Sequence, residues 1–148
     1  AEYCVTRPEY LAPKPESIDH APAASVPIAA LTAWQGLFDR ALLAGGQSVL
    51  IHGAAGSVGS LAVQLARWRG AHVIGTASAQ NAEFVRELGA DEVIDYKATR
   101  FEDVVRDVDV VFDTVGGETL DRSWAVLKKG GKMVTVAAQG EHTEDPAV

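Results

Sequence analysis

The chain has 148 residues, of which 47% are hydrophobic, and this is enough for one domain with a substantial apolar core. Its 13 basic and 20 acidic residues give a formal net charge of −7, which argues against nucleic acid or an anionic membrane as the main partner. With one cysteine and four scattered histidines, the sequence predicts neither an internal disulfide nor a closed zinc site, and it favours a reducing compartment such as the cytoplasm.

The acidic residues are unevenly distributed along the chain. Between Glu83 and Asp121 there are 12 carboxylates and only four basic residues. Such a stretch is typical of a solvated surface, so we expect a binding site elsewhere. Any small anionic ligand has to be held by local groups, because the net charge of the protein repels it.

Prolines dominate the N-terminal part of the sequence, at positions 8, 13, 15, 22 and 27. They predict an extended strand and arm and exclude a long helix. From Ile28 onward apolar residues fall at helical spacing, and Gly45 and Gly46 end that run. We therefore divide the chain into an N-terminal arm, residues 1–27, and a folded domain, residues 28–148.

Strands and helices alternate through the folded domain. The predicted strands are 48–52, 72–76, 92–95, 108–113 and 132–136. Helices are predicted after the glycine turn that follows the first strand, at 81–88, and around Leu120 to Leu127. The strands are apolar on both faces, which is typical of a parallel sheet that helices cover on each side. The predicted fold class is therefore α/β, a doubly wound parallel sheet in three layers (α/β/α) with an extended N-terminal arm.

A glycine-rich turn separates the first predicted strand from the next helix. Ala54, Gly56 and Gly59 form the pattern A-x-G-x-x-G, and its place inside a βαβ unit is that of a dinucleotide-binding turn. Gly56 lets the backbone approach a pyrophosphate, and Gly59 lets the helix pack closely on its strand. The N–H groups of Ser57, Val58 and Gly59 are expected to face the phosphates at the positive end of the helix dipole.

The end of the second predicted strand indicates which dinucleotide is bound. Residues 74–81 contain no carboxylate, whereas NAD-specific sheets place an acidic residue there, so the sequence favours NADP. Ser78 and Asn81 can donate hydrogen bonds to a 2′-phosphate, and Tyr96 with Lys97 adds a hydroxyl and a charge. Ser78 and Asn81 also stand where a helix favours N-cap residues, so a purely structural role is left open.

Several motifs occur together in the chain: HGAAGSVG at 52–59, LGADEVIDY at 88–96, DVVFDTVGG at 109–117 and LKKGG at 127–131. In this combination the sequence resembles the medium-chain dehydrogenase/reductases and, within them, the zinc-independent quinone oxidoreductase branch. The resemblance implies a Rossmann-type cofactor domain beside a GroES-like catalytic domain, of which this chain holds only the last strand, near residues 3–11. It also implies that the sixth strand of the sheet is missing.

The resemblance extends the expected cofactor site. It places Thr114 and Val115 near the adenosine and ribose, and Ala137 near the nicotinamide. Thr32 is expected near the nicotinamide as well, although a helix-start threonine is an equal alternative. Ile28 stands where zinc-dependent relatives carry a cysteine ligand, so we expect no zinc.

The function implied by the resemblance is hydride transfer from NADPH to a quinone, an enone or a similar conjugated carbonyl, by a protein that is a homodimer at full length. An NADP-binding sensor or scaffold module without catalysis is the alternative from another class. We assign no catalytic residue, because the hydride chemistry belongs to the nicotinamide. His52 is interpreted as a hydrogen-bonded core residue, and Asp109 and Asp113 as strand-end and surface carboxylates. The chain by itself is expected to be inactive.

Overall fold

A computed structural model describes residues 3–137, which form one parallel sheet of five strands with helices on both faces. The strands are β1 (Ser48–Ile51), β2 (His72–Ala77), β3 (Glu92–Asp95), β4 (Val108–Asp113) and β5 (Leu127–Thr135). Their order in the sheet is β3-β2-β1-β4-β5, so the chain winds outward from β1 and then crosses over to β4 on the other side. This order confirms the predicted doubly wound parallel sheet.

The helices cover the two faces of the sheet. They are α1 (His20–Trp34), α2 (Ser57–Trp68), α3 (Ala82–Glu87), α4 (Phe101–Val104) and α5 (Glu118–Ser123). One apolar cluster joins α1, α2 and α3 to side chains such as Val49 and Ile51 of β1, and a second joins α4 to Leu50 of the same strand. Neighbouring residues of β1 thus enter opposite layers, as the pleat of a strand requires. The predicted three-layer arrangement is confirmed.

The first helix begins earlier than the sequence predicted. It starts at His20 and not at Ile28, and a π-helical turn, Gln35–Arg40, continues it. Pro22 lies in the first turn, where the missing N–H has no intrahelical acceptor to lose. Pro27 lies inside the helix, so the expectation that the prolines confine residues 1–27 to an extended arm is wrong. Residues 3–19 contain a short 3-10 helix, Pro8–Tyr10, and no strand.

Two further elements differ from the prediction. The strand expected at 132–136 begins at Leu127, and its pairing jumps from Leu127 opposite Val108 to Lys132 opposite Val110. Residues 128–131 therefore bulge out within the strand and do not form a separate turn before it. Helix α4 was not predicted, because four residues are too few to show a helical period.

Within residues 3–137 no helix has the length and the apolar character needed to cross a membrane. The sequence from 141 to 148 is mostly polar, which we interpret as a tail. These residues and the place expected for a sixth strand lie outside the described residues.

Candidate functional site

A cleft of about 410 Å³ lies at the carboxyl edge of the sheet, where β1, β2, β3 and β4 end. We call it the edge cleft. Six of the residues predicted from the sequence line it, together with four that the prediction did not include. The predicted six are Gly56, Ser78, Asn81, Tyr96, Thr114 and Val115, and the other four are Gly53, Ala55, Thr76 and Ala77. The fold thus gathers loops from four strands around one space, which is where open α/β sheets bind ligands.

The glycine turn forms the floor of the edge cleft. Gly53 has a φ of +68°, a conformation that other residues rarely adopt. A Cβ atom on Gly59 would lie 2.9 Å from the Cα of Ala54 and would overlap the carbonyl oxygen of Gly53. Gly59 is therefore needed for the close approach of α2 to the end of β1, as the sequence predicted.

Helix α2 presents its first backbone donors at this turn. Gly56 is its N-cap residue and supplies no side-chain cap, and the first helical bond runs from the N–H of Ser60 to the carbonyl of Gly56 at 2.8 Å. The N–H groups of Ser57, Val58 and Gly59 precede that bond and have no acceptor in the helix. Gly56 and Ser57 are exposed, so an anion can reach this end of the helix.

The end of β2 lies beside these donors and carries no carboxylate. Ser78 precedes the 3-10 helix Ala79–Asn81, and Asn81 precedes α3. Both occupy N-cap positions, but neither side chain makes a capping hydrogen bond. Their polar atoms are thus not used for capping and can face a ligand in the edge cleft.

The loop after β4 forms the opposite wall. Asp113 is fully buried, and its carboxylate accepts hydrogen bonds from the N–H groups of Val115 and Gly116 and from the hydroxyl of Thr135, at 2.8 to 3.1 Å. Asp113 is the last residue of β4, so its interpretation as a strand-end carboxylate holds, but it does not lie on the surface, because its carboxylate is the internal anchor of this loop. The hydroxyl of Thr114 donates to the carbonyl oxygen of His52 at 2.7 Å.

Asp109, at the other end of β4, is also less exposed than expected. Its side chain retains 13% of its accessible surface and accepts hydrogen bonds from the backbone N–H and the hydroxyl of Ser48. It also pairs with Lys128. Partial burial raises the pKa of Asp109, but these hydrogen bonds outweigh burial and hold the pKa below its ordinary value.

Five predicted residues are not among those that line the edge cleft. Ser57, Val58 and Gly59 follow Gly56 at the start of α2, whereas Thr32 and Ala137 lie elsewhere. Thr32 is in α1, where its hydroxyl donates to the carbonyl of Ile28 at 2.7 Å, and it is not a helix-start residue because α1 begins at His20. Ala137 follows β5, and a Cβ atom on Gly116 would lie 3.0 Å from its carbonyl oxygen. Neither residue lines the edge cleft, and their nearness to a nicotinamide stays a prediction.

A second space of about 340 Å³ adjoins the edge cleft, and we call it the inner cavity. It shares Gly53, Thr76, Tyr96 and Val115 with the edge cleft, and its remaining lining residues are His52, Thr99, Arg100, Phe101, Thr119 and Arg122. Part of this lining belongs to the acidic stretch in which no binding site was expected. The sequence missed it because the basic and apolar residues of that stretch converge only in the fold.

Glu102 joins the two arginines of the inner cavity. Its carboxylate accepts hydrogen bonds from Arg100 at 2.8 Å and from Arg122 at 2.9 Å. Burial raises the pKa of Glu102, but its own backbone N–H and the two arginines outweigh this and lower the pKa to about 2. Arg122 also lies over the ring of Phe101, 5.0 Å from its centroid. These contacts fasten α4 to α5 at the cavity wall.

His52 is the buried titratable group of the inner cavity. Its Nδ1 lies 3.1 Å from the hydroxyl oxygen of Thr76, and its Nε2 lies 3.0 Å from that of Ser123. Desolvation by burial lowers its pKa from 6.5 to about 4, despite the opposing effect of Asp113. The interpretation of His52 as a hydrogen-bonded core residue is confirmed.

Metal-ligating side chains are not clustered in the described part of the chain. Residues 3–137 bring together no group of three or more histidine, cysteine, aspartate or glutamate side chains that could hold a metal ion. Ile28, the position where the sequence predicts no zinc ligand, is exposed on α1. Zinc independence stays a prediction.

Comparisons with known proteins identify the family. The family model described as zinc-binding dehydrogenase matches residues 57–147, which is more than half of the chain. The chain belongs to this family. The predicted resemblance to the medium-chain dehydrogenase/reductases is confirmed, and the family is one of oxidoreductases.

Individual members of the family are closely similar to the chain. It is 44% identical over 138 residues to the chloroplastic NADPH-dependent alkenal/one oxidoreductase of Arabidopsis thaliana, a match that covers 92% of this chain and 35% of that protein. It is 40% identical over 139 residues to the 2-methylene-furan-3-one reductase of Solanum lycopersicum, with the same two shares. The structure of the quinone oxidoreductase from Coxiella burnetii has a TM-score of 0.82 at 42% identity, covering 86% of this chain and 40% of that one. The chain thus spans well under half the length of these relatives.

Proposed function

We propose that the chain is the NADP(H)-binding domain of an oxidoreductase that transfers a hydride to a quinone, an enone or a similar conjugated carbonyl. One observation carries the proposal: the exposed start of α2 and the carboxylate-free end of β2 open into the same cleft. A dinucleotide with an additional phosphate fits both features, because the first binds the pyrophosphate and the second does not repel a 2′-phosphate.

The residues of the edge cleft divide between the parts of the cofactor. The N–H groups of Ser57, Val58 and Gly59 hold the pyrophosphate, and exposed Gly56 leaves room for its approach. The loop around Thr114 and Val115 lies along the adenosine and its ribose. These assignments are supported by the gathering of the two loops around the edge cleft.

The 2′-phosphate is assigned to polar groups at the ends of β2 and β3. Ser78 and Asn81 offer side chains that are not used as caps, and Tyr96, which is 59% exposed, faces the same cleft. The ammonium of Lys97 lies 6.0 Å from the centroid of the Tyr96 ring, so it adds a positive charge on this side. Charge-assisted hydrogen bonds to a phosphate are about twice as strong as neutral ones.

The bound nicotinamide supplies the hydride, and the protein supplies its position. Thr32 and Ala137 are proposed to lie on the nicotinamide side, and no residue among 3–137 is proposed as a catalytic acid or base. Asp113 keeps the loop around Val115 in place without touching the reacting atoms. The substrate pocket is proposed to lie in a further GroES-like domain, so the chain by itself is expected to be inactive.

The proposed substrate class rests on the printed names of the relatives. One relative is named for alkenals or alkenones, a second for a methylene-furanone and a third for quinones. Each name describes a carbonyl compound that also contains a carbon–carbon double bond, and in the methylene-furanone and the quinones the two are conjugated. Zinc independence is proposed together with this class and is supported by the isoleucine at position 28.

A homodimer and a reducing compartment complete the proposal. Among the described residues β5 is one of the two edges of the sheet, and edge N–H and C=O groups can pair with another strand. Sedimentation of the full-length protein as a monomer would contradict the dimer.

The cytoplasm is proposed as the location because the chain has a single cysteine, Cys4, which is exposed. Localisation of a tagged full-length protein tests this proposal.

The decisive experiment is a titration of the chain with NADPH and with NADH in a calorimeter. We expect NADPH to bind at least about tenfold more tightly, because charged hydrogen bonds to the 2′-phosphate are worth about 1.5–3 kcal/mol. Tighter binding of NADH would contradict the NADP assignment, and binding of neither would contradict the cofactor site. Turnover of quinones and enones by the full-length protein then separates an enzyme from a sensor that binds NADP without catalysis.

A further inference from the structure

His52 connects three separate elements beneath the glycine turn. It follows β1 and is fully buried. One ring nitrogen meets Thr76 in β2, and the other meets Ser123 at the end of α5. The contacts span 24 and 71 residues of sequence, so they form only when the sheet and α5 are assembled.

The hydrogen bonds of this network have a definite direction. The hydroxyl of Ser123 donates to the carbonyl of Thr119 at 2.6 Å, so its oxygen accepts the proton of Nε2–H of His52. A neutral imidazole with a proton on Nε2 has a lone pair on Nδ1, and Thr76 donates its hydroxyl proton to that lone pair. The oxygen of Thr76 is then free to accept the N–H of Gly53 at 3.3 Å.

The far end of the network is the glycine turn itself. Gly53 is the residue with the positive φ at which the chain leaves β1. The next residue, Ala54, donates its N–H to the backbone carbonyl of Thr76 at 3.0 Å. Thr76 therefore holds two consecutive N–H groups of the turn, one through its hydroxyl and one through its backbone.

We propose that His52 and Thr76 are positioning residues for the dinucleotide, which hold the glycine turn in its binding shape before the pyrophosphate arrives. They act through the backbone of Gly53 and Ala54. This inference rests on the proposed function of the edge cleft. Neutral His52 suits the role. Burial lowers its pKa, so Nδ1 stays unprotonated and can accept a hydrogen bond from Thr76.

The test compares variants at Thr76 in the 148-residue chain, with NADPH affinity and the exchange rate of the Gly53 amide hydrogen as readouts. Thr76→Val keeps the shape of the side chain and removes the hydroxyl. We expect it to weaken NADPH binding about three- to tenfold, the value of one hydrogen bond, and to speed exchange at Gly53. Thr76→Ser restores the hydroxyl and is expected to rescue both readouts.

The matched control is Ser123→Ala, which removes a hydrogen bond of the same network on the side away from the turn. We expect it to lower the free energy of unfolding but to change NADPH affinity by less than about twofold, since it leaves the bond to Gly53 in place. In His52→Gln the side-chain amide lies near the position of Nε2, on the side of Ser123. In His52→Asn it lies near the position of Nδ1, on the side of Thr76. His52→Gln is therefore expected to lose more affinity than His52→Asn.

The outcomes separate this inference from the proposed function. If Thr76→Val binds NADPH as tightly as the unmodified chain, or if Ser123→Ala loses as much affinity as Thr76→Val, the positioning role is overturned. If the unmodified chain binds no NADPH, the proposed function fails, and the exchange rate of the Gly53 amide hydrogen alone tests whether Thr76 holds the glycine turn. Faster exchange in Thr76→Val, restored to the original rate in Thr76→Ser, supports this role. An unchanged exchange rate in Thr76→Val overturns it.

Discussion

The hydroxyl of Thr114 donates a hydrogen bond to the backbone carbonyl oxygen of His52 at 2.7 Å, which joins the loop after β4 to the chain just before the glycine turn. The same hydroxyl would overlap a Cβ atom on Gly53. Gly53 is therefore required both by this contact and by its φ of +68°. This hydrogen bond holds the loop after β4 against the residue that precedes the glycine turn.

Replacing Thr114 by valine tests that connection. Thr114→Val keeps the side-chain shape but leaves the carbonyl of His52 without this donor, so we expect a loss of about 1 kcal/mol in the free energy of unfolding. Urea denaturation measures the loss, and Thr114→Ser, which keeps the hydroxyl, is expected to stay within about 0.5 kcal/mol of the unmodified chain. Equal stability of the valine and serine variants would argue against the contact.

The glycines at 56 and 59 are expected to fail in different ways. Gly56 is exposed, with φ −75° and ψ 173°, which any residue can adopt, and a Cβ atom on it would lie 3.2 Å from the carbonyl oxygen of Gly53. Gly56→Val should therefore fold with some loss of stability, and it should lose NADPH binding because its side chain occupies the place of the pyrophosphate. Gly59→Ala should cost roughly 1–3 kcal/mol of stability, because its Cβ overlaps the backbone of Gly53. Calorimetry with NADPH and urea denaturation on both variants distinguish the two effects. A Gly56→Val variant that still binds NADPH would remove the turn from the site.

The proposed preference for NADP is expected to be reversed by a charge at Ser78. Both Ala77 and Ser78 line the edge cleft, but Ala77 is 3% exposed and belongs to the apolar core cluster, whereas Ser78 is 8% exposed and lies outside that cluster. We expect Ser78→Asp to bind NADH more tightly than NADPH, because a carboxylate accepts from ribose hydroxyls and repels a 2′-phosphate. Ser78→Asn introduces a side chain of the same size as aspartate but without its charge, so this variant should still bind NADPH more tightly than NADH. An unchanged order of affinities in Ser78→Asp would place the 2′-phosphate elsewhere.

Protonation of His52 predicts a loss of stability at mildly acid pH. Its pKa is about 4 in the folded chain against an ordinary 6.5, so between these values the unfolded chain binds the proton and the folded chain does not. The free energy of unfolding should therefore fall as the pH drops from about 6.5 to about 4, by about 3 kcal/mol from this group. Urea denaturation across this range checks it, with His52→Gln as the control. Equal slopes for both proteins would show that His52 does not titrate in this way.

Glu102 acts in a separate and lower pH range. Its folded pKa of about 2 lies below its ordinary 4.5, so its contribution is present above pH 4.5 and is lost as the pH falls toward 2. Glu102→Gln should reduce the acid dependence below pH 4.5. Because the Glu102 carboxylate also raises the pKa of His52, the variant should move the His52 range to lower pH without removing it. Urea denaturation of Glu102→Gln and of His52→Gln at the same series of pH values measures the two effects separately. A change confined to the His52 range would contradict this assignment.

The amino-acid sequence by itself determined the alternation of strands and helices, the parallel sheet and the glycine turn. These features depend on neighbours in sequence. A short, valine-rich run such as 108–112 favours a buried strand, and Gly56 and Gly59 mark a tight turn at fixed spacing. The same local pattern led to Ser78 and Asn81, which lie between the second predicted strand and the next helix, and to Tyr96, which directly follows the third predicted strand.

Only the tertiary structure decided which of these residues share one space and what holds them there. Helix α1 can begin at His20 because Pro22 lies in its first turn and loses no hydrogen bond there, and the helix continues through Pro27. A count of prolines does not show this. Asp113 is buried because loop N–H groups and Thr135 surround it, and His52 meets Ser123 across 71 residues of sequence. Such partners are set by how the strands and helices pack, so no local pattern in the chain specifies them.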